Sequence, residues 1–138
     1  MGLTVVDAGV LIGFLDATDA HHEAARQALA NASERGDAIS LPASALAECL
    51  AGPARRGDDA VETVRAFLAR FPIAVAPLDA AVAGAAARLR ARHSQRLRLP
   101  VALVVATAEV LDADILITTD RGWPSRRALG LRGQIVQL

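Results

Sequence analysis

Three acids in this chain of 138 residues stand where a carboxylate is hard to place. Asp7 ends Leu3-Thr4-Val5-Val6, a short apolar and β-branched run of the kind that sits as a buried strand. Small Ala8 and Gly9 follow it, and then a second apolar run with helical spacing. Asp120 closes a similar run, Ile115-Leu116-Ile117-Thr118. Glu48 shares a helical face with Leu41 and Ala45 and lies beside Cys49, so it is expected to point inward. Singly, each has an ordinary use: Asp7 and Asp120 as turn or cap residues, Glu48 as a half-exposed helix residue. Together, three inward acids repel and raise one another's pKa unless a divalent cation neutralises them. An all-oxygen set of this kind prefers Mg²⁺ or Mn²⁺. Such ions lower the pKa of bound water and hold a phosphodiester for in-line attack.

The elements that must position these acids alternate. After Leu3–Val6 a short helix runs to about Leu15, and Asp16–Asp19 makes a polar break. Asp19 is expected to cap the next helix, which carries His21, His22, Ala25 and Leu29. Gly36-Asp37 turns the chain into a second strand, Ala38–Leu41. Ser40 and Pro42 are expected to start a helix that bears Glu48 and stops near Gly52-Pro53. Another helix runs from about Asp58 to Phe71, and Ile73–Ala76 is the third strand. Asp79 opens a long alanine-rich helix to about His93, and Pro100 starts an almost wholly apolar one over Val101–Leu111. Ile115–Thr118 is the fourth strand, a loop with Trp123-Pro124 follows, and Gln134–Leu138 is the last strand. This alternation predicts an α/β fold with a parallel sheet flanked by helices. Right-handed crossovers then bring the ends of strands one and four, and so Asp7 and Asp120, side by side at the edge where such sheets bind ligands.

Composition narrows the function. The length suits one domain over residues 1–138, and 53% hydrophobic residues argue against disorder. The 15 acidic and 15 basic residues balance, so bulk charge indicates no partner. All 15 basic residues are Arg, which removes every mechanism that needs a catalytic Lys. The phosphoacceptor domains that place Asp after a strand, receiver domains and haloacid-dehalogenase-like phosphatases, are disfavoured for that reason. Neither of the glycine-rich nucleotide-binding patterns G-x-G-x-x-G and G-x-x-x-x-G-K-[ST] occurs. A single cysteine, Cys49, suits a reducing cytoplasm, and the start lacks a secretory pattern. No stretch reaches the about 18 apolar residues that a membrane span needs.

Four segments carry a family resemblance: Val5-Val6-Asp7-Ala8-Gly9-Val10-Leu11-Ile12, Ala45-Leu46-Ala47-Glu48, Leu99-Pro100-Val101-Ala102-Leu103-Val104-Val105-Ala106-Thr107-Ala108, and Ile115-Leu116-Ile117-Thr118-Thr119-Asp120-Arg121-Gly122-Trp123. In order and spacing they resemble the PIN-domain ribonucleases, and within them the VapC toxins of VapBC toxin–antitoxin pairs. The resemblance implies a PIN-like, Rossmann-like sheet and a Mg²⁺-dependent endoribonuclease, with Mn²⁺ as substitute. It also implies an RNA substrate, a homodimer, and inhibition by a small VapB-like antitoxin. Asp7, Glu48 and Asp120 carry over as catalytic, metal-binding acids, with Thr118 or Thr119 supporting them by hydrogen bonds.

One position departs from the pattern. PIN-domain toxins usually carry Asp after Leu-Pro, and here the residue is Val101. Valine brings neither a ligand nor a charge that would favour the helix dipole, and Mg²⁺ tolerates little loss of octahedral geometry. Either Val101 is native to a degenerate enzyme, or it is a substitution that disarms a toxic one. The second is favoured because every other motif residue is in place. The competing function is a PIN-fold protein that binds antitoxin or RNA without cleaving.

Smaller expectations concern the remaining polar and aromatic residues. Arg88, Arg90, Arg92, Arg96 and Arg98 run with His93 towards the helix of Val101, and suit either phosphate contacts with RNA or a solvated helix end. His21 and His22 are adjacent on a helix and share no face, so they are expected to be solvent-exposed. Trp123 is expected to pack, and Phe14, Phe67 and Phe71 to sit in the core or an interface.

Overall fold

The computed structural model describes residues 1–138, the side chain of Gln95 excepted. The elements follow one another as β1 (Leu3–Val6), α1 (Ala8–Leu15), α2 (His22–Glu34), β2 (Ala38–Pro42), α3 (Ala43–Arg56), α4 (Asp58–Arg70), β3 (Ile73–Ala76), α5 (Ala80–His93), a 3₁₀ turn (Ser94–Arg96), α6 (Leu99–Val110), β4 (Ile115–Thr118), α7 (Arg126–Leu129) and β5 (Gln134–Gln137). The five strands form one parallel sheet in the order β3-β2-β1-β4-β5. The α/β architecture expected from the alternation is therefore present, and β1 lies between β2 and β4.

Thr4, Val5 and Val6 are all fully buried. Successive strand residues point to opposite faces, so both faces of the sheet are covered at β1. The core continues through Leu11 of α1, Leu29 of α2, Leu41 of β2, Leu89 of α5, Val105 of α6 and Leu116 of β4. Pairing of Thr4 with Ile115, Val5 with Leu116 and Val6 with Ile117 sets the β1–β4 register. Asp7 extends it by donating its N–H to the Ile117 carbonyl at 2.9 Å. The two strands thus deliver Asp7 and Thr118 to the same edge.

Several local expectations are corrected. Asp19 does not cap α2: it accepts a hydrogen bond from His21 N–H at 2.8 Å within the turn, and the helix begins at His22 with no side-chain cap. The helix does start where expected, at Ala43 with Pro42 as its N-cap residue, but Ser40 lies within β2 and does not cap it. The Ser40 hydroxyl donates across the sheet to Ala74 O at 3.4 Å, because its register with β3 outweighs its local capping tendency. The helix bearing Glu48 does not stop at Gly52-Pro53 and runs to Arg56. Pro53 removes one N–H donor, but α3 is held by packing on α1, α4 and α6, and one missing hydrogen bond does not end it. It ends at Gly57, whose φ of 122° and ψ of 175° suit glycine alone. The loop after Trp123-Pro124 contains α7, with Ser125 Oγ accepting from Ala128 N–H and Gly130 closing it in the left-handed region.

Candidate functional site

Asp7 caps α1. Its Oδ1 accepts from Ala8 N–H at 2.7 Å, and its Oδ2 accepts from the Thr118 hydroxyl at 2.8 Å. Thr118 is fully buried, and its Oγ1 also accepts from Asp120 N–H at 3.0 Å. One hydroxyl therefore ties the carboxylate at the end of β1 to the backbone beyond β4. The Asp120 carboxylate is held in turn, Oδ1 by Gly122 N–H at 2.8 Å and Oδ2 by the Trp123 indole Nε1–H at 3.1 Å. Thr119 makes no comparable bond among the described residues; its side chain packs on Gly9. A Cβ at position 9 would collide with the Thr119 hydroxyl, so glycine there lets α1 start against the end of β4.

Glu48 is placed differently. The inward-pointing expectation is corrected: Ala45 and Cys49 form the buried stripe of α3, and Glu48 is exposed at its margin. A carboxylate without a buried partner is too costly to sequester, so the helix turns it to solvent. Glu48 opens with Cys49, Ile12, Leu15 and Phe67 into a groove of about 860 Å³ between α1, α3 and α4. Asp120 instead lines a smaller cavity of about 220 Å³ with Arg96, Arg98, Val101 and Trp123. Asp7 and Asp120 are thus joined through Thr118, whereas Glu48 faces the pair from another element and another opening. Val101 stands beside Asp120, in the first turn of an α6 that no side chain caps.

The electrostatics link all three acids. The Asp7 pKa is raised, first by burial and then by the Asp120 charge, against the hydrogen bonds from Thr118 and Ala8. Glu48 is also raised, by burial and by Asp7, with Arg98 opposing. Burial, Glu48 and Asp7 push the Cys49 thiol up to about 12, so it is protonated at neutral pH and no nucleophile. Among the described residues no group of three His, Cys, Asp or Glu side chains stands close enough together to hold an ion. The donor chemistry nevertheless fits a hard divalent cation. Negative charge nearby raises the proton affinity of Asp7 and of Glu48, and none of the three acids makes an ion pair among the described residues.

The other candidates are placed as follows. Arg92, Arg96 and Arg98 are exposed, and Arg96 and Arg98 border Asp120. Arg90 uses its Nε to donate to Leu97 O at 3.2 Å, which pins the turn between α5 and α6. His21 and His22 are half-buried rather than solvent-exposed, because the tight Asp16–His21 turn folds back on α1 and leaves His22 Nδ1 2.8 Å from Gly13 O. Phe14, Phe67 and Phe71 form one cluster with ring centroids 5.1 to 5.6 Å apart. Trp123 packs as expected, and its bond to Asp120 is the site interaction that the sequence did not reveal. A donor-bearing ring three residues after a strand-end acid was the only available signal.

Comparison with known proteins adds the following. The PIN domain family model matches residues 4–128. VapBC2 from Rickettsia felis, solved bound to a DNA fragment from its promoter, superposes with a TM-score of 0.72 at 14% identity, covering 98% of this chain and 97% of that one. A sarcin–ricin loop cleaving toxin of Mycobacterium tuberculosis, VapC20, gives 0.67 at 20% identity over 82% of this chain and 86% of its own. A toxin–antitoxin complex from Klebsiella pneumoniae gives 0.66 at 22% identity over 97% and 96%. Comparison with curated protein sequences returns no match. At these identities the solved structures share the fold.

Proposed function

The chain belongs to the PIN-domain family, and on that premise we propose that it is a divalent-metal-dependent endoribonuclease, the toxin of a type II toxin–antitoxin pair, impaired by Val101. The observation that carries this reading is the hydrogen-bonded line Asp7–Thr118–Asp120 at adjacent strand ends, with Glu48 close enough to raise its own proton affinity against Asp7. Asp7, Glu48 and Asp120 would hold Mg²⁺, or Mn²⁺ in its place, which when bound supplies a water of lowered pKa and neutralises phosphodiester charge. Thr118 fixes the orientation of Asp7. Gly122 and Trp123 fix that of Asp120. Arg96 and Arg98 bind RNA phosphates at this edge and Arg92, whose guanidinium lies by Gly130, extends the contact, with Arg90 bracing the segment that carries them.

The antitoxin partner is part of the same proposal, supported by neighbours solved as a toxin–antitoxin complex from Klebsiella pneumoniae and as a member of the VapBC family of toxin–antitoxin systems from Mycobacterium tuberculosis. The groove on α1, α3 and α4 suits an apolar segment with a basic residue, since Ile12, Leu15 and Phe67 line it and Glu48 borders it. Homodimerisation and cytoplasmic action belong to the proposal too. No helix of the described chain is long and apolar enough to cross a membrane.

Val101 favours a second reading, a PIN-fold protein that binds antitoxin or RNA and does not cleave. Val101→Asp separates the two. Under the nuclease reading this variant cleaves RNA with Mn²⁺ far faster than the parent chain, and adding Asp7→Asn abolishes the gain. If Val101→Asp binds Mn²⁺ and still leaves RNA intact, the nuclease reading is wrong and the binding reading stands.

A further inference from the structure

The corner where Val101 stands holds one carboxylate, that of Asp120, against two arginines, and has the makings of a site for an anion. Its cavity, about 220 Å³, is bordered by Arg96, Arg98, Val101 and Trp123. Among the described residues neither arginine has a carboxylate within 4 Å or donates a side-chain hydrogen bond. The one acid in the lining, Asp120, already accepts from Gly122 N–H at 2.8 Å and from the Trp123 indole at 3.1 Å. Those two donors orient the carboxylate and leave it charged, so the lining holds two positive charges against one negative. Val101 adds no charge. Two arginines with no ion-pair partner within 4 Å among the described residues, one of which also acts on Glu48 at longer range, therefore border a small cavity with one carboxylate, and planar guanidinium forks match phosphate oxygens in pairs.

We propose that this cavity is a phosphate subsite, and that Val101 is what makes it one. With Asp at position 101 the two guanidinium groups would meet a second carboxylate and an incoming anion would be repelled. With valine they outnumber the one carboxylate of the lining. Valine thus exchanges a metal-favouring corner for an anion-favouring one. The role of the subsite rests on the nuclease reading, in which it seats a phosphate flanking the one to be cut; its binding chemistry does not. The same phosphate chemistry is presented by an RNA strand and by a free nucleotide.

Trp123 is the only tryptophan, so a ¹⁵N-labelled chain gives one indole cross-peak, from the group that borders the cavity. The test titrates the full chain, in EDTA so that nothing turns over, with inorganic phosphate, adenosine monophosphate and a 2′-O-methyl trinucleotide, and measures bound ligand by equilibrium dialysis. A saturable shift of the indole peak together with bound ligand is expected, and whichever of the nucleotide and the trinucleotide binds more tightly identifies the source of the phosphate. Arg96→Gln with Arg98→Gln weakens binding by about tenfold for each charge-assisted hydrogen bond removed. Val101→Asp weakens it about tenfold or more, whereas the neutral and equally sized Val101→Asn stays within about twofold. Absence of saturable binding at millimolar ligand overturns the proposal. So does binding that ignores the arginine substitutions, or equal binding by the Asp and Asn variants. A chain that passes these tests while Val101→Asp never cleaves RNA keeps the subsite and loses the nuclease.

Discussion

Asp7 and Asp120, at the ends of β1 and β4, are each gripped by two donors, while Glu48, on the margin of α3, makes no hydrogen bond among the described residues. The strand-borne acids inherit their positions from the sheet, because register fixes the backbone and the backbone supplies N–H groups to their carboxylates. The helix-borne acid has only a stem of rotatable bonds and a solvent-facing position. A cation site built from both kinds has one rigid wall and one adjustable wall. Val101 is helix-borne like Glu48 but stands in the cavity of Asp120, so the position that departs from the family pattern removes charge beside the rigid wall.

Restoring a carboxylate at that position has the largest expected effect. Val101→Asp raises Mn²⁺ affinity and metal-dependent cleavage by about a hundredfold, read by isothermal titration and an RNA cleavage assay. Equal metal affinity in both chains would show that position 101 contributes no ligand. On the strand side, Thr118→Val keeps the shape and deletes the hydroxyl, leaving Asp7 Oδ2 and Asp120 N–H without a partner. Urea unfolding of the metal-free chain then shows a loss of about 2 kcal/mol. A loss below about 0.5 kcal/mol would mean that water replaces the hydroxyl and the wall is not rigid.

Trp123→Phe removes a single hydrogen bond and costs about 1 kcal/mol in the same measurement. It also lowers Mn²⁺ affinity through a freer Asp120, and an unchanged affinity would reduce Trp123 to packing. Glu48→Gln has the smallest effect on stability at neutral pH, within about 0.5 kcal/mol, because the side chain is exposed. It has a definite sign with pH. Asp7 and Glu48 both hold their protons more tightly in the folded chain than in the unfolded one. Their protonation therefore stabilises the metal-free fold below their raised pKa values, and that contribution disappears as pH rises through them. The parent chain should lose stability relative to Glu48→Gln over that window. Parallel stability curves for the two would dissolve the coupling between the walls.

Much of this molecule follows from local signals in the sequence. The runs that become β1, β3 and β4, the Asp79 cap of α5 and the strand-end positions of Asp7 and Asp120 are set within a few residues, by alternation, capping and chain stiffness. The adjacency of β1 and β4 drew on the handedness of crossovers in addition, and the rest of the strand order came from the closed sheet. The same local logic failed where distant segments compete. Ser40 carries a capping side chain yet pairs across the sheet, α3 passes through Pro53 because three other helices hold it, and Glu48 turns outward because no partner waits inside. The bond from Trp123 to Asp120 and the two arginines beside Val101 also have no local signature. Their existence depends on which surfaces meet once the chain is closed, and a hydrogen bond or a cavity is a property of the meeting, set by the tertiary packing alone.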